Sequence, residues 1–150
     1  MFEFSEGQLF SQEVRVRWSD TDASKSIHHT AMLRFFEIAE IEFFRALGFT
    51  NYAINELGVD IPRVNVNCDF KAPVQLDEVL NISVSVENVG NTSARLGYLA
   101  SNESEVIAAS GSMTFVSVSL DSGRPVPIPP SLREVLEWAQ RMWDNKTNDN

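Results

Sequence analysis

The chain is short of cysteine, of positive charge and of long apolar runs, and each shortage excludes a class of protein. Cys68 is the only cysteine among 150 residues, which excludes an internal disulfide and a cysteine-rich zinc site. Twelve Lys and Arg residues face 21 Asp and Glu residues, and the resulting net charge of −9 argues against non-specific binding to nucleic acid or to anionic membranes. No run approaches the roughly 18 apolar residues that span a bilayer. The first residues lack the basic and apolar regions of a secretory signal, so we expect a cytoplasmic protein.

Histidine is also scarce, and both copies lie in one polar segment. The segment runs from Trp18 to His29 with the sequence WSDTDASKSIHH, and it contains two aspartates as well. It leads directly into an apolar stretch that has the period of a helix. Carboxylates, imidazoles and the start of a helix are therefore close in sequence, which makes this segment the candidate catalytic site.

Hydrophobic periodicity predicts an α+β domain. Residues Phe10 to Trp18 alternate as a strand does, with Trp18 on the same side as Val14 and Val16. Residues 30–48 have the pattern of a long helix that is apolar over more than one stripe, which is typical of a helix enclosed by its domain. A short helix is predicted at 52–57, strands at 64–70, 80–87, 94–100 and 106–119, and a helix at about 131–143. The last residues, 144–150, contain no apolar side chain, and we expect them to be disordered.

Four sequence features in this order resemble the hotdog-fold 4-hydroxybenzoyl-CoA thioesterase family of acyl-CoA thioesterases. They are the strand that leads into Trp18, Asp20, Thr21 and Asp22; His29 seven residues after Asp22; the helix motifs Phe-Glu at 36–37 and Glu-Phe-Phe-Arg at 42–45; and the segments DFKAPV at 69–74 and GRPVP at 123–127. The resemblance covers residues 10–135. It implies an antiparallel sheet wrapped around a long central helix, and hydrolysis of a CoA thioester to a free acid and CoA. Two positions depart from the family pattern: Lys25 stands where a glycine is common, and Ala31-Met32 where Asn-Tyr is frequent.

The residue chemistry fits this activity. A carboxylate can attack a thioester or activate water, and Asp22 is the candidate for either role. The free amides at the start of the helix, near His29, Thr30 and Ala31, are candidates for an oxyanion hole. We expect His29 to assist the reaction, and Trp18 and His28 to help position the substrate.

Structural interpretations compete with several of these roles. Asp20 is expected to support the loop, because aspartate favours turns. Adjacent histidines do not easily face one point, which argues against a His28–His29 pair and against a metal site in this loop. The long helix carries Glu37, Glu40 and Glu42. They could resemble the helix glutamate used in other hotdog thioesterases, but we expect them to pair with Arg34 and Arg45 or to face solvent. Cys68 is expected to fill the core.

Aromatic and basic side chains are the candidates for contacts with the substrate. Phe36 is a candidate for lining an acyl site. Four basic residues are candidates for the CoA phosphates, and each can equally be a surface charge; they are Arg63, Lys71, Arg95 and Arg124. CoA is part of the substrate, so no separate cofactor is expected. The resemblance implies a homodimer or homotetramer with the acyl site between subunits. A non-catalytic acyl-CoA-binding module and a hotdog hydratase or dehydratase are the alternatives.

Overall fold

A computed structural model describes residues 9–148 and shows a long helix lying against an antiparallel sheet. The elements, in chain order, are β1 (Ser11–Arg15), a 3₁₀ turn (Trp18–Asp20), α1 (His29–Ala46), α2 (Asn51–Glu56), β2 (Val59–Asp60), β3 (Arg63–Phe70), β4 (Val79–Val89), β5 (Ser93–Asn102), β6 (Ile107–Val116), β7 (Val118–Ser119) and α3 (Pro130–Asn148). Five strands form the main sheet in the order β1-β4-β5-β6-β3, and β2 pairs with β7 separately. The α+β fold class is as predicted. Strand β2 was not predicted, because a two-residue strand has no measurable alternation, whereas β7 lies within the strand predicted over 106–119.

The core lies between α1 and one face of the sheet. Strands β4 and β5 pair so that Val84 lies opposite Tyr98 and Val86 opposite Leu96, and all four side chains are buried on this face. On the helix, the aromatic residues supply most of the packed volume; Phe35, Phe36 and Phe43 are among the largest fully buried side chains. The apolar face of the alternating strands therefore packs against the apolar face of the helix, as the sequence predicts.

One glycine allows α1 to approach the sheet closely. A Cβ atom on Gly111 of β6 would lie 2.7 Å from Cε2 of Phe36 and 2.5 Å from the Asn67 carbonyl oxygen. Phe36 fills that space and stacks on Tyr98 with ring centroids 4.8 Å apart. The centre of the sheet thus contacts the middle of the helix through one aromatic stack.

Helix α3 lies beside the half of β4 that β1 leaves unpaired. The Gln140 amide donates to the Glu87 carbonyl at 3.1 Å, and the Arg133 guanidinium donates to the Gly90 carbonyl at 2.6 Å. The predicted end of this helix near residue 143 is wrong, because the helix continues to Asn148. Extending an existing helix adds one hydrogen bond per residue and needs no apolar side chain. Residues 149 and 150 of the predicted disordered tail lie outside the described residues.

Two strand boundaries also differ from the prediction. Strand β1 ends at Arg15, and Trp18 lies in the 3₁₀ turn with 81% of its surface exposed, so it does not share the buried face. Asp20 causes the change, since its carboxylate accepts the Arg17 amide and closes the turn. The strand predicted over 106–119 is broken at Ser117, whose amide donates to the Thr92 carbonyl as the chain leaves β5 to pair with β2.

None of the helices among residues 9–148 combines the length and the apolar character that crossing a membrane requires.

Candidate functional site

The polar segment between β1 and α1 folds into a closed loop. Thr21 and Ile27 form an isolated bridge, and the Asp22 amide donates to the Ser26 carbonyl at 3.0 Å. The His28 amide then donates to the Asp20 carbonyl at 2.7 Å, which brings the start of α1 back beside the 3₁₀ turn. The sequence proximity of acids and imidazoles is therefore converted into spatial proximity by backbone hydrogen bonds.

Lys25 has the backbone conformation that explains why glycine suits this position. Its φ is 67°, in the left-handed region that is unfavourable for residues with a Cβ atom. Its amide donates to the Asp22 carbonyl at 3.0 Å, so the turn is kept in spite of the strain. The departure from the family pattern changes the side chain without opening the loop.

Asp22 presents an exposed carboxylate with one oxygen engaged. Its Oδ1 atom accepts the Ser24 hydroxyl and the Ser24 amide, the latter at 2.8 Å. These two bonds lower the pKa of Asp22, with His28 and His29 adding smaller contributions and desolvation opposing them. Oδ2 has no hydrogen bond within residues 9–148. Asp22 is therefore an ionised carboxylate at neutral pH with one oxygen free to act.

The two histidines have different tasks at the start of α1. His28 is the N-cap: its Nδ1 atom accepts the Thr30 amide at 3.2 Å, and its carbonyl accepts the Ala31 amide at 2.9 Å. Thr30 and Ala31, expected as oxyanion donors, are thus already engaged. The His29 amide has no hydrogen-bond partner in the described part of the chain.

The imidazole rings of His28 and His29 contact each other, with centroids 4.2 Å apart. Contrary to the expectation that adjacent histidines do not easily face one point, these two rings lie together, because the N-cap His28 has extended backbone angles and His29 is helical. His29 is exposed and remains available to a ligand.

Asp20 has a structural position, and Trp18 is exposed beside it. The Asp20 carboxylate is buried, accepts the Arg17 amide at 2.8 Å, and forms an ion pair with Arg34 at 3.0 Å. These contacts fix the loop to the first turns of α1. Trp18 contributes its carbonyl to the loop, which accepts the Thr21 hydroxyl, while its indole faces solvent.

The loop is also fixed from the other side, by the segment that follows β3. The Ile27 amide donates to the Val74 carbonyl at 2.9 Å, and the Gln75 side chain donates to the Ser26 hydroxyl at 3.1 Å. A cleft of about 320 Å³ lies along this junction, and Lys71 lines it together with Ser26 and Ile27. The structure therefore places Lys71 beside the candidate loop, although 49 residues separate it from Asp22 in the sequence.

A buried charge network lies farther along α1. Glu40 is 1% exposed; its Oε2 atom accepts the Tyr98 hydroxyl at 2.8 Å, and its Oε1 atom forms an ion pair with Arg63. The prediction that Glu40 faces solvent or pairs with a helix arginine is wrong. The missed signal was its position on the apolar stripe with Phe36 and Phe43. Glu42 does pair with Arg45, as predicted, whereas Arg34 pairs with Asp20.

The remaining predicted residues are distributed over different environments. Phe36 is 1% exposed and packs against Tyr98 and Gly111, and its role in lining an acyl site stays a prediction. Arg63 is engaged with Glu40 but lines a cleft between α1 and β3. Cys68 is half-buried, and desolvation raises the pKa of its thiol, which suits a packing residue.

Within residues 9–148, no three His, Cys, Asp or Glu side chains come together as a set of metal ligands. The groups that could take part in a reaction at this site are therefore the low-pKa carboxylate of Asp22, the imidazoles of His28 and His29, and the free His29 amide at the start of α1.

Comparison with known proteins gives consistent matches over most of the chain. A sequence model described as the thioesterase-like superfamily matches residues 16–136. A putative esterase of Aquifex aeolicus is 28% identical over 123 residues, which are 82% of this chain and 94% of that protein. The acyl-CoA thioester hydrolase YbgC of Escherichia coli is 26% identical over 132 residues, 88% of this chain and 97% of that protein. The crystal structure of a DHNA-CoA thioesterase from Staphylococcus aureus, 22% identical, superposes with a TM-score of 0.82 over 90% of this chain and 93% of that one, a likeness of fold.

Proposed function

The chain belongs to the thioesterase-like superfamily, as the resemblance in its sequence predicts, and we propose that this thioester hydrolase cleaves an acyl-CoA to a free carboxylic acid and CoA, with Asp22 as its reactive carboxylate. Water is the second reactant, and CoA enters as part of the substrate, so the proposal requires no separate cofactor. The names of the relatives, among them the acyl-CoA thioester hydrolase of Escherichia coli, support the substrate class.

The observation that carries the proposal is the state of Asp22. The Ser24 bonds lower its pKa and occupy only Oδ1, which leaves an ionised oxygen exposed beside the start of α1. Such an oxygen can attack the thioester carbonyl directly, forming an anhydride and releasing the CoA thiolate, or it can take a proton from an attacking water. Both routes give the same products, and both need Asp22 ionised.

The developing oxyanion is assigned to the start of α1. Among residues 9–148, no group accepts the His29 amide, and the positive end of the helix dipole lies there too. Rotation of the His28 imidazole away from the Thr30 amide would add a second donor. We assign protonation of the leaving thiolate to the His29 side chain, which is exposed next to that amide.

The test is hydrolysis of a panel of aryl- and fatty-acyl-CoAs by the wild type and by Asp22→Asn. We expect kcat to fall by about 10²-fold or more, because the amide is neither a base nor an adequate nucleophile. Asp121→Asn is the matched control, since Asp121 is an exposed aspartate in the loop after β7. Full activity in a folded Asp22→Asn protein would refute the assignment.

The same panel separates the alternatives. Tight binding of acyl-CoA with no thiol release would identify a binding module. Crotonyl-CoA consumed without thiol release would identify a hydratase, because hydration leaves the thioester intact.

We further propose that two copies of the chain pair through the edge strand β3. All but one of its eight residues are exposed, and among them Val64, Val66 and Phe70 are 60%, 43% and 52% exposed. An edge strand with unpaired backbone groups and apolar side chains is a site for pairing with another strand. A second copy there would also lie beside the cleft that Arg63 lines.

Light scattering at micromolar concentration tests this assembly. We expect a dimer, or a tetramer built from dimers, and a shift to monomer in Val66→Lys. Val106→Lys is the control, since Val106 is 49% exposed but lies outside β3. A wild type that is monomeric would contradict the proposal.

A further inference from the structure

We infer that the cleft between α1 and β3 selects, within the proposed acyl-CoA hydrolysis, a neutral acyl group that carries a hydroxyl or carbonyl oxygen at its far end, and that Arg63 binds this oxygen. The inference rests on the proposed function and adds to it the class of acyl group. The cleft has a volume of about 460 Å³. We call it the α1–β3 cleft. Among the residues that line it are Leu33, Glu40, Ile41, Arg63, Val66 and Met113.

The position of the cleft fits an acyl group whose carbonyl lies at the start of α1. Leu33 lines it one turn after His29, and Glu40 lines it eleven residues after His29. Eleven residues of helix span about 16 Å. Helical side chains lean toward the N-terminus by about one residue, so the distance to the Glu40 end is slightly shorter, about 15 Å. Carbon–carbon bonds of about 1.5 Å zigzag in an extended chain and advance about 1.25 Å each, so about twelve carbons cover that distance.

The walls of the cleft are apolar, and its far end is polar. Leu33, Ile41 and Val66 offer hydrocarbon contact along its length. At the Glu40 end, the Arg63 guanidinium donates to Glu40 and to the Ile61 carbonyl, the latter at 3.0 Å. A guanidinium has five N–H groups, so donors remain for a ligand, and 32% of the Arg63 side chain is exposed.

The charges of the cleft favour a neutral partner for these donors. Arg63 is already compensated by Glu40, and Arg34 and Glu37 at the rim add one charge of each sign. A carboxylate at the end of the acyl chain would gain no net attraction and would lie close to the buried Glu40 carboxylate. A methyl end would cover the Arg63 donors without bonding them, which is unfavourable. A neutral oxygen accepts a hydrogen bond and brings no charge.

Three substrates of equal length test the inference: dodecanoyl-CoA, 12-hydroxydodecanoyl-CoA and the mono-CoA thioester of dodecanedioic acid. We expect the wild type to have a kcat/KM about tenfold higher for the hydroxylated substrate than for each of the others, the size of one hydrogen bond to a charged group. Arg63→Met keeps an unbranched side chain out to the position of Nε and removes the donors, so we expect the preference for the hydroxyl to disappear. Arg133→Met is the control, because Arg133 likewise pairs with a glutamate and donates to a backbone carbonyl, but it lies on α3 and lines neither the cleft nor the loop.

A second variant changes the selectivity instead of removing it. Glu40→Gln leaves the Arg63 charge uncompensated, and we expect kcat/KM for the carboxylate-ended substrate to rise above that for dodecanoyl-CoA. Melting temperatures establish that each variant is folded. Equal rates on the three substrates in the wild type, or an unchanged preference in folded Arg63→Met, would overturn the inference while the proposed function stands. Failure to hydrolyse any acyl-CoA would instead overturn the proposed function, and this inference with it.

Discussion

Removing the hydroxyl of Tyr98 tests the buried network at its simplest point. Tyr98→Phe deletes one oxygen atom and keeps the ring that stacks on Phe36 at 4.8 Å. The deleted group donates to Glu40 Oε2 at 2.8 Å, with Tyr98 4% and Glu40 1% exposed. Burial and the Glu40 charge raise the pKa of Tyr98 well above its usual value, so the hydroxyl keeps its proton and acts as the donor at every working pH.

The magnitude follows from what remains after the deletion. A hydrogen bond to a charged group contributes about 1.5–3 kcal/mol. Arg63 still neutralises Glu40, so the carboxylate is not left as an unpaired buried charge, and the loss stays near 2 kcal/mol. At 150 residues, 1 kcal/mol corresponds to about 2–4 °C in Tm, so we expect a fall of about 4–8 °C.

Urea unfolding followed by circular dichroism measures this free energy, at one protein concentration for all variants because assembly would shift it. Tyr52→Phe is the matched control: Tyr52 is 74% exposed on α2, and we expect a change within about 0.5 kcal/mol. Glu40→Gln and the double variant complete a cycle that isolates the Tyr98–Glu40 interaction. A Tyr98→Phe protein as stable as the control would refute the assignment of this hydrogen bond as a stabilising contact.

Three other predictions concern the loop and the close approach of α1. Lys25→Gly relieves the left-handed strain, and we expect the free energy of unfolding to rise by about 1 kcal/mol; Lys25→Ala, which keeps the Cβ, should give no such rise in the same urea titration. Ser24→Ala removes the hydroxyl that contributes most to lowering the pKa of Asp22, so the carboxyl pKa should rise toward its usual value in an NMR titration. The acid limb of kcat/KM should move to higher pH with it, and an unchanged Asp22 pKa would contradict this. Gly111→Ala places a Cβ 2.5 Å from the Asn67 carbonyl oxygen and 2.7 Å from Phe36. We expect the free energy of unfolding, measured by calorimetry, to fall by about 1–3 kcal/mol. An unchanged free energy of unfolding would show that β6 can shift to make room for the methyl group.

The loop was predictable from sequence because its contacts are local. The backbone bonds that close it join residues within eight positions of one another, such as Asp22 to Ser26 and Asp20 to His28, whereas the bonds to Val74 and Gln75 that fix its other side could not be predicted. Turn-forming residue types and an N-cap histidine are visible in the sequence itself. The occupied Thr30 and Ala31 amides were not predictable, because which amides a capping residue engages depends on its side-chain rotamer.

The Glu40 network was missed because its partners are distant in the chain. Tyr98 lies 58 residues after Glu40 in the chain, and Arg63 lies 23 residues after Glu40. Both side chains reach Glu40 only when β5 and β3 lie in the sheet under α1. A glutamate among charged neighbours has the appearance of a solvent-facing residue. Its helical position four residues after Phe36 and three before Phe43 indicates burial, and that spacing was the one available signal.

The Asp22 loop and the Arg63 end of the cleft are held in place by different sets of contacts, so substitutions at the two ends should have different effects. Local backbone bonds and the Asp20–Arg34 pair hold the Asp22 loop, so its geometry does not depend on the Glu40 network. The Glu40–Arg63 pair instead joins α1 to the edge strand β3 and defines the far end of the cleft. Substitutions in the network should consequently change stability and acyl selectivity while leaving the pKa of Asp22 unchanged. Substitutions in the loop should change kcat for all acyl-CoAs alike.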